Sequence, residues 1–300
     1  LTYLVGMEQR GWGPSTLLMD VERAFPDGAN PPYKPVNNDA KFWGPMSLRA
    51  SLANSRNLPA VWALEQVGIP SLLEMAARLG ITSLTRPDYG LSLTLGGGDV
   101  TLLEMTGAYA ALANGGQRVA PRTILRVEDQ DDNILQSDEL PAPERVLDPR
   151  HAYLMTHILS DNAARVPAFG SNNVLALPFP AAVKTGTTND YRDGWTVGYT
   201  PNLLVGVWVG NSDNTPTDRL SGVRGAGPIW HDVMMSAQGD RPPVEFARPE
   251  GIVEVEVCPI SGHPRTDLCP PGHVELFSSD DAPVGGECPV HHRVRICNES

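Results

Sequence analysis

Cysteine is missing from most of this 300-residue sequence. The four cysteines that it does contain all lie near the C-terminal end: Cys258, Cys269, Cys288 and Cys297. Such clustering is typical of a small disulfide-stapled module in an oxidising compartment, and disulfides are our prediction. The alternative is a zinc site that also uses His291 or His292, although the spacings contain no Cys-x-x-Cys pair.

Long apolar runs are also missing, since no stretch approaches the roughly 18 residues that cross a bilayer. No signal peptide opens the sequence. The first residues, LTYLVGMEQRGWG, start without Met and are typical of a helix that is already under way. We therefore expect the true N-terminus, with any membrane anchor or targeting signal, to lie upstream of Leu1.

Basic charge is scarce, because the formal net charge is −12 and the pI is near 5.0. A nucleic-acid surface needs clustered Lys and Arg, so we expect no nucleic-acid partner. The composition, 41% hydrophobic and 19% charged, is that of an ordinary globular protein. The length suits one large domain with a small appendage.

The sequence predicts an antiparallel meander of three short strands, Ala181–Thr187, Trp195–Tyr199 and Leu203–Val209. Each segment is rich in β-branched or aromatic residues, and Gly, Asn, Asp or Pro lies between them.

The first of these strands carries Lys184-Thr185-Gly186-Thr187. A lysine there can hold a cation near a reacting centre, and the threonine hydroxyls beside it can bind a carboxylate. Gly186 lacks the side chain that would keep another backbone away from the strand. The tetrad therefore predicts a slot for an extended peptide that ends in a carboxylate.

A second candidate group is the triplet Ser55-Arg56-Asn57, between predicted helices at Ser47–Asn54 and Ala60–Gln66. A hydroxyl and an amide fixed at such a corner could relay a proton and orient a substrate amide. The alternative is local capping, because Ser and Asn favour helix ends.

Three stretches together resemble the transpeptidase domain of class A high-molecular-weight penicillin-binding proteins: KTGTTNDYRDGWTVGYTP, GVWVGNSDNTPT and SLRASLANSRNLPAVWALEQVG. Lys-Thr-Gly is one of three motifs of penicillin-recognising serine enzymes. The resemblance implies an α/β fold over residues 1–245, with an antiparallel sheet flanked by helices. The cysteine-containing end resembles a segment that follows this domain in many such proteins, which implies a small β-rich module over residues 250–300.

The resemblance implies peptidoglycan D,D-transpeptidation, which cross-links stem peptides ending in D-Ala-D-Ala outside the cytoplasmic membrane, and acylation by β-lactams. It implies no cofactor and no metal in the active site. The catalytic residues it carries over are Lys184, Ser55 and Asn57, and the carboxylate-binding and oxyanion residues are Thr185, Gly186 and Thr187. In this scheme Lys184 and Ser55 pass a proton towards the leaving amine, and Asn57 orients the substrate amide. The backbone N–H of Thr187 serves the oxyanion hole.

A literal Ser-Asp-Asn also occurs, at Ser160-Asp161-Asn162. In the family, on the order of a hundred residues separate the second motif from Lys-Thr-Gly, which favours Ser55 over the much nearer Ser160. Residues His151–Leu159 have helical apolar spacing, so the triplet after them is predicted to be an ordinary helix end.

The first motif of the family, Ser-x-x-Lys, is absent, because no serine here is followed by lysine at the third position. Ser15, for example, has Leu18 there. The resemblance places the nucleophile a few residues before Leu1. We therefore expect this chain to be part of a bifunctional glycosyltransferase and transpeptidase, and to be inactive alone. The alternatives are a non-catalytic peptidoglycan-binding or sensor protein, a β-lactamase and a D,D-carboxypeptidase.

Elsewhere the composition of residues 14–46, rich in Pro, Asn, Asp and Gly, predicts a long irregular loop. Apolar spacing predicts helices at Leu72–Leu79 and Leu102–Leu112, and a Pro-initiated helix at Pro228–Ala237. Residues 121–137 are predicted to form a hairpin.

Overall fold

The computed structural model describes residues 1–27, 30–137, 142–286 and 288–294. The predicted cysteine partner Cys297 lies outside these residues. The helices are α1 (Thr2–Arg10), α2 (Leu48–Ala53), α3 (Asn57–Val67), α4 (Ile69–Arg78), α5 (Leu102–Ala113), α6 (Pro149–Ser160), α7 (Asn162–Phe169) and α8 (Ala226–Gln238). Short 3₁₀ turns lie at Leu91–Leu95 and Asn189–Tyr191.

The strands are short and pair in antiparallel fashion. They are β1 (Leu17–Asp20), β2 (Phe25–Asp27), β3 (Asn30–Tyr33), β4 (Gly44–Ser47), β5 (Gln117–Arg118), β6 (Arg126–Glu128), β7 (Ile134–Ser137), β8 (Glu144–Arg145), β9 (Ala182–Thr187), β10 (Asp193–Tyr199), β11 (Leu204–Gly210), β12 (Ile252–Val257) and β13 (His273–Ser278). The predicted hairpin corresponds to β6 and β7.

Helix α1 runs through the centre of the main core, because every residue from Thr2 to Met7 is buried. A helix that is buried on all sides needs apolar or small residues throughout, which the segment TYLVGM supplies. The helix packs against α3, α4 and α6. It ends at Gly11, whose left-handed backbone (φ 62°) suits glycine.

The predicted meander is confirmed, since β9, β10 and β11 form a three-stranded antiparallel sheet in the order β11-β10-β9. Lys184 lies opposite Val197 in this sheet, and Gly186 lies opposite Trp195. Helices α5 and α8 pack against the sheet, and α6 contacts β9. The α/β fold class is therefore confirmed, and β9 lies at the edge of the sheet with its tetrad accessible from one side.

The prediction of an irregular loop over residues 14–46 is wrong. Strand β1 pairs with β4, and β2 pairs with β3. These strands have three or four residues each, too few for alternation to be recognised against the many prolines. The predicted start of the second helix is also three residues late, since α3 begins at Asn57. Pro59 fits the first turn because N–H groups there have no partner within the helix.

The C-terminal segment packs onto this body. Strands β12 and β13 form a hairpin, and their residues Ile252 and Leu276 belong to the main core. Arg49 of α2 forms a bidentate contact with Glu275, at 2.6 and 2.7 Å. The predicted disulfides are not found among the described cysteines, which are unpaired. Within the described part of the chain, no helix has both the length and the apolar character that a membrane crossing requires.

Candidate active site

The structure brings together the two groups that the sequence predicts to share a proton, although they lie 129 positions apart. Lys184 Nζ on β9 donates to Ser55 Oγ at 2.8 Å and to the carbonyl oxygen of Thr185 at 2.5 Å. Because the ammonium donates to Ser55, the serine hydroxyl can donate its own proton onward. The pair is thus arranged as a donor chain from lysine to serine to an incoming group.

The environment of Lys184 lowers its affinity for a proton. Burial and, to a smaller extent, the nearby charge of Arg165 together lower the pKa of Lys184 to about 8. Arg165 is itself buried in α7, where its guanidinium donates to the carbonyl oxygen of Leu159. A buried lysine with a lowered pKa can exchange protons near neutral pH, and such groups are concentrated at functional sites.

Ser55 lies in a strained turn between α2 and α3. Its φ of 54° is in the left-handed region, which a residue with a side chain adopts at a cost of roughly 1–3 kcal/mol. The backbone N–H of Ser55 donates to Leu52, and that of Arg56 donates to Ser51. Surrounding contacts must therefore hold the turn in this conformation.

Arg56, the middle residue of the triplet, supplies those contacts. Its guanidinium donates to Asp20 at 2.8 Å, to Asp39 at 2.9 Å and to the carbonyl oxygen of Lys41. It also stacks over the ring of Trp43, 4.2 Å from the centroid. Asp20 is completely buried, so this ion pair fixes the turn from the protein interior.

Asn37 extends this network to the start of α3. Its Nδ2 donates to Asp20 at 2.7 Å, and its Oδ1 accepts from the backbone N–H of Asn57 at 2.8 Å. The Nδ2 of Asn57 donates to the carbonyl oxygen of Val36 at 2.7 Å. Asn57 is therefore held at the corner where the sequence predicts it, and its Oδ1 is the atom that could accept a substrate N–H.

The threonines of the tetrad lie on the sheet edge as expected. Thr185 is 9% exposed, whereas Thr187 is less buried and its Oγ1 accepts from the backbone N–H of Gly222 at 2.9 Å. A hydroxyl that accepts in this way directs its proton elsewhere, so it can donate to a carboxylate. The carbonyl oxygen of Gly222 in turn accepts from Thr196 Oγ1 at 3.2 Å. This glycine thus ties the loop before α8 to β9 and β10.

The beginning of α1 lies beside the same lysine. Leu1, the N-cap residue of α1, lies within electrostatic reach of Lys184. The hydroxyl of Thr2 is hydrogen-bonded to that of Thr94 at 2.7 Å, which anchors this end of the helix. The start of α1 therefore lies near Lys184, the residue that donates to Ser55.

The literal Ser-Asp-Asn triplet forms the junction of α6 and α7, as the sequence predicts. The hydroxyl of Ser160 donates to the carbonyl oxygen of His157 at 3.3 Å. The carboxylate of Asp161 caps α7 by accepting from Ala164 N at 2.8 Å, and it pairs with Arg49 at 3.2 Å. Ser160 therefore hydrogen-bonds within the last turn of α6, and Asp161 caps the first turn of α7.

Four residues of the site were not found by sequence reasoning: Asp20, Asn37, Arg56 and Arg165. Asp20 and Asn37 come from a Pro- and Asn-rich stretch, Arg56 is the middle residue of the Ser55–Asn57 triplet, and Arg165 lies in α7. The available signal was an arginine at a helix end or among apolar residues. If such an arginine is buried, its charge must be paired with another group.

Comparison with known proteins identifies the family. Residues 1–235 match the family model described as the penicillin binding protein transpeptidase domain. The chain belongs to this transpeptidase family. Residues 248–293 match a second model, the penicillin-binding protein 1A C-terminal domain. Penicillin-binding protein 1A of Pseudomonas aeruginosa is 30% identical over 91% of this chain and 39% of its own length. That of Neisseria meningitidis is 32% identical over 81% of this chain and 31% of its own length.

Solved structures agree with this assignment. The crystal structure of penicillin-binding protein 1A from Haemophilus influenzae superimposes with a TM-score of 0.84 at 25% identity, over 95% of this chain and 48% of that one. The penicillin-binding protein PonA1 from Mycobacterium tuberculosis shares the fold, with a TM-score of 0.72 at 21% identity, over 90% of this chain and 73% of that one. The chain spans well under half the length of its curated relatives.

Proposed function

We propose that this chain is the body of a serine D,D-transpeptidase that cross-links peptidoglycan stem peptides ending in D-Ala-D-Ala. The observation that carries the proposal is the 2.8 Å contact between Lys184 Nζ and Ser55 Oγ at the sheet edge. Membership of the transpeptidase family supports a serine acyltransferase. The residue roles below are our own assignment.

The outer edge of β9 is the proposed binding slot for the stem peptide. An edge strand offers backbone N–H and C=O groups to which an extended peptide can add as a further strand. A Cβ at Gly186 would meet nothing closer than the Cβ of Trp195, at 3.5 Å, so packing within the protein does not require glycine there. Space for a closely approaching substrate backbone supplies the reason. The hydroxyls of Thr185 and Thr187 then bind the terminal carboxylate.

In the proposed reaction, a serine Oγ attacks the carbonyl carbon of the penultimate D-Ala while the lysine of its own Ser-x-x-Lys motif takes the hydroxyl proton, and the bond to the terminal D-Ala nitrogen breaks. Lys184 donates a proton to Ser55 as the Ser55 hydroxyl donates its own to the leaving amine. The N–H of Thr187 stabilises the oxyanion, a contact whose loss costs about 3 kcal/mol in comparable sites. An amino group of a second stem peptide then attacks the ester and forms the cross-link. Its proton returns through Ser55 to Lys184, and the released serine Oγ recovers its proton from the lysine of the Ser-x-x-Lys motif. Asn57 orients the substrate amide through its Oδ1.

We assign the nucleophile to a Ser-x-x-Lys motif that precedes Leu1 in the parent protein. The closeness of Leu1 to Lys184 supports this, because it brings the segment that leads into α1 near the lysine that donates to Ser55. The chain alone would therefore not form an acyl-enzyme. We further propose that the parent carries a glycosyltransferase domain and a membrane anchor upstream and works outside the cytoplasmic membrane. β-Lactams would acylate the same serine.

The test is to label the intact parent protein with a fluorescent penicillin and to map the modified peptide by mass spectrometry. We expect a stable adduct on a serine shortly before Leu1. Replacement of either Lys184→Ala or Ser55→Ala should slow acylation by a factor of about 10² or more, the usual contribution of a positioned proton donor.

Two matched variants serve as controls. Lys34→Ala removes an exposed lysine, and Ser160→Ala removes the serine of the literal Ser-Asp-Asn triplet, so both should acylate at the rate of the unmodified protein. An adduct on Ser55 or Ser160, or unchanged kinetics in Lys184→Ala, would overturn the assignment. Rapid hydrolysis of the adduct would indicate a β-lactamase instead.

A further inference from the structure

The C-terminal segment gathers four side chains that can bind a metal. The Sγ atoms of Cys258, Cys269 and Cys288 and a ring nitrogen of His291 all lie within 4.8 Å of one another. We propose that these residues form a structural zinc site of the Cys₃His type. The proposal stands independently of the transpeptidase function.

The interatomic distances fit tetrahedral zinc. The Nδ1 of His291 lies 3.5 Å from Cys258 Sγ and 3.3 Å from Cys288 Sγ. Zinc bonds of about 2.3 Å to sulfur and about 2.0–2.1 Å to nitrogen, at tetrahedral angles, separate the two donor atoms by roughly 3.6 Å. One ring nitrogen can share only one hydrogen atom, so it cannot hydrogen-bond both sulfurs well at once. A common cation explains both short contacts.

The backbone aims the ligands inward from three turns. Cys258 directly follows β12, in a turn where its N–H donates to His263 and its carbonyl oxygen accepts from Gly262. Cys269 closes a second turn by donating its N–H to Thr266. Cys288 and His291 form a Cys-x-x-His pair in the third.

Polar donors surround the sulfur atoms. The hydroxyl of Ser261 lies 3.3 Å from Cys288 Sγ, and the hydroxyl and backbone N–H of Thr266 lie 3.4 and 3.5 Å from Cys269 Sγ. Three thiolates on one Zn²⁺ leave a net negative charge, and such outer donors offset it. The same contacts have no comparable use beside an apolar disulfide.

The turns that carry the cysteines pack apart from the main core, unlike the β12–β13 hairpin beside them. The three cysteines form a buried cluster of their own, separate from the main hydrophobic core. A small segment without a sizeable apolar core usually depends on a metal or on disulfides for its stability. Three cysteines and a histidine converging on one point suit a metal, because a disulfide would join only two of them at about 2.05 Å.

The test uses the full 300-residue chain, purified under reducing conditions with Zn²⁺ present and then dialysed free of excess metal. We expect about one zinc per chain by elemental mass spectrometry, and a Co²⁺-substituted protein with the absorption bands of a tetrahedral thiolate site. Less than about 0.2 zinc per chain would overturn the proposal. So would disulfides among Cys258, Cys269 and Cys288, detected by peptide mapping of protein isolated from an oxidising compartment.

Matched variants separate the ligands from their neighbours. His291→Gln should weaken zinc binding at least tenfold in competition with a chromophoric chelator and should change the Co²⁺ spectrum, as expected when a metal-site partner is lost. His292→Gln, at the adjacent exposed histidine, and Cys297→Ser should bind zinc as the unmodified chain does. Equal affinity in the His291 and His292 variants, or loss of zinc in Cys297→Ser, would contradict the assigned ligand set. The zinc content of the unmodified chain decides the matter even if a variant fails to fold.

Discussion

Adding a single methyl group at Gly222, in the loop that contacts β9 and β10, should destabilise the protein. A Cβ at this residue would lie 2.3 Å from the carbonyl oxygen of Gly186 and 2.5 Å from that of Trp195. Both neighbours are backbone atoms of paired strands, so no side-chain rotation can make room. In Gly222→Ala the loop must therefore move away from the sheet by about 1 Å to restore ordinary contact distances.

The magnitude follows from the contacts that this movement breaks. Overpacking in a well-packed region costs roughly 1–3 kcal/mol. The movement also stretches the hydrogen bond from Gly222 N to Thr187 and the one from the buried hydroxyl of Thr196 to Gly222 O. A typical hydrogen bond contributes about 1 kcal/mol, and a buried hydroxyl left without a partner costs more. We expect the free energy of unfolding to fall by about 3 kcal/mol.

The measurement is urea unfolding of the full chain, followed by tryptophan fluorescence. Gly225→Ala is the matched control, because it lies in the same loop with an ordinary φ of −92° and its Cβ would have no neighbour closer than 3.4 Å. The control should lose less than about 1 kcal/mol. A loss below about 1 kcal/mol in Gly222→Ala as well would show that the loop is not fixed to the sheet as described.

Three further results are expected. Arg56→Met leaves the fully buried carboxylate of Asp20 without its cation and should cost about 3–5 kcal/mol by denaturant unfolding, whereas Asp39→Asn, at a partly exposed partner, should cost less than about 1 kcal/mol. In the parent protein, the rate constant for penicillin acylation should fall as the pH rises through about 8. Above its pKa, Lys184 loses the proton that it would donate to Ser55. A rate constant that rises there would mean that the neutral amine acts as a base. Gly186→Ala should unfold within about 0.5 kcal/mol of the unmodified chain yet acylate at least tenfold more slowly, since its Cβ fits the fold but not an adjacent substrate backbone.

The parts of the fold that could be predicted are those encoded by neighbouring residues. Each strand of the β9–β11 meander has its own β-branched or aromatic run and its own turn residues, so pattern alone located the sheet to within two residues. The tetrad at Lys184 was proposed from residue types suited to one chemistry, whereas the corner at Ser55 was preferred over simple helix capping only because of the family resemblance. Their contact across 129 positions came only from the family resemblance, because no local pattern encodes it.

The parts that could not be predicted depend on distant partners. Asp20 ends a four-residue strand inside a stretch whose prolines predict a loop, and nothing near it in the sequence indicates that Arg56 will pair with it. The cysteines presented a related difficulty, since sequence spacing cannot distinguish a disulfide from a metal site when the ligands come from separate turns. In each case tertiary contacts, which sequence periodicity does not record, decided the structure.

The buried network explains why the strained turn at Ser55 persists. A left-handed residue with a side chain costs roughly 1–3 kcal/mol, and removal of one partner from a buried ion pair costs roughly 3–5 kcal/mol, so the Arg56 and Asp20 pair is strong enough to enforce the turn. Relaxation of Ser55 to an ordinary φ would move Arg56, its direct neighbour, away from Asp20. The serine hydroxyl is therefore held against Lys184 before any substrate binds, and substrate binding need not supply the energy to place it there. We therefore expect Arg56 to act as a positioning residue: in the parent protein, its replacement should slow acylation most in the Ser55-dependent step and should have little further effect in a Ser55→Ala background.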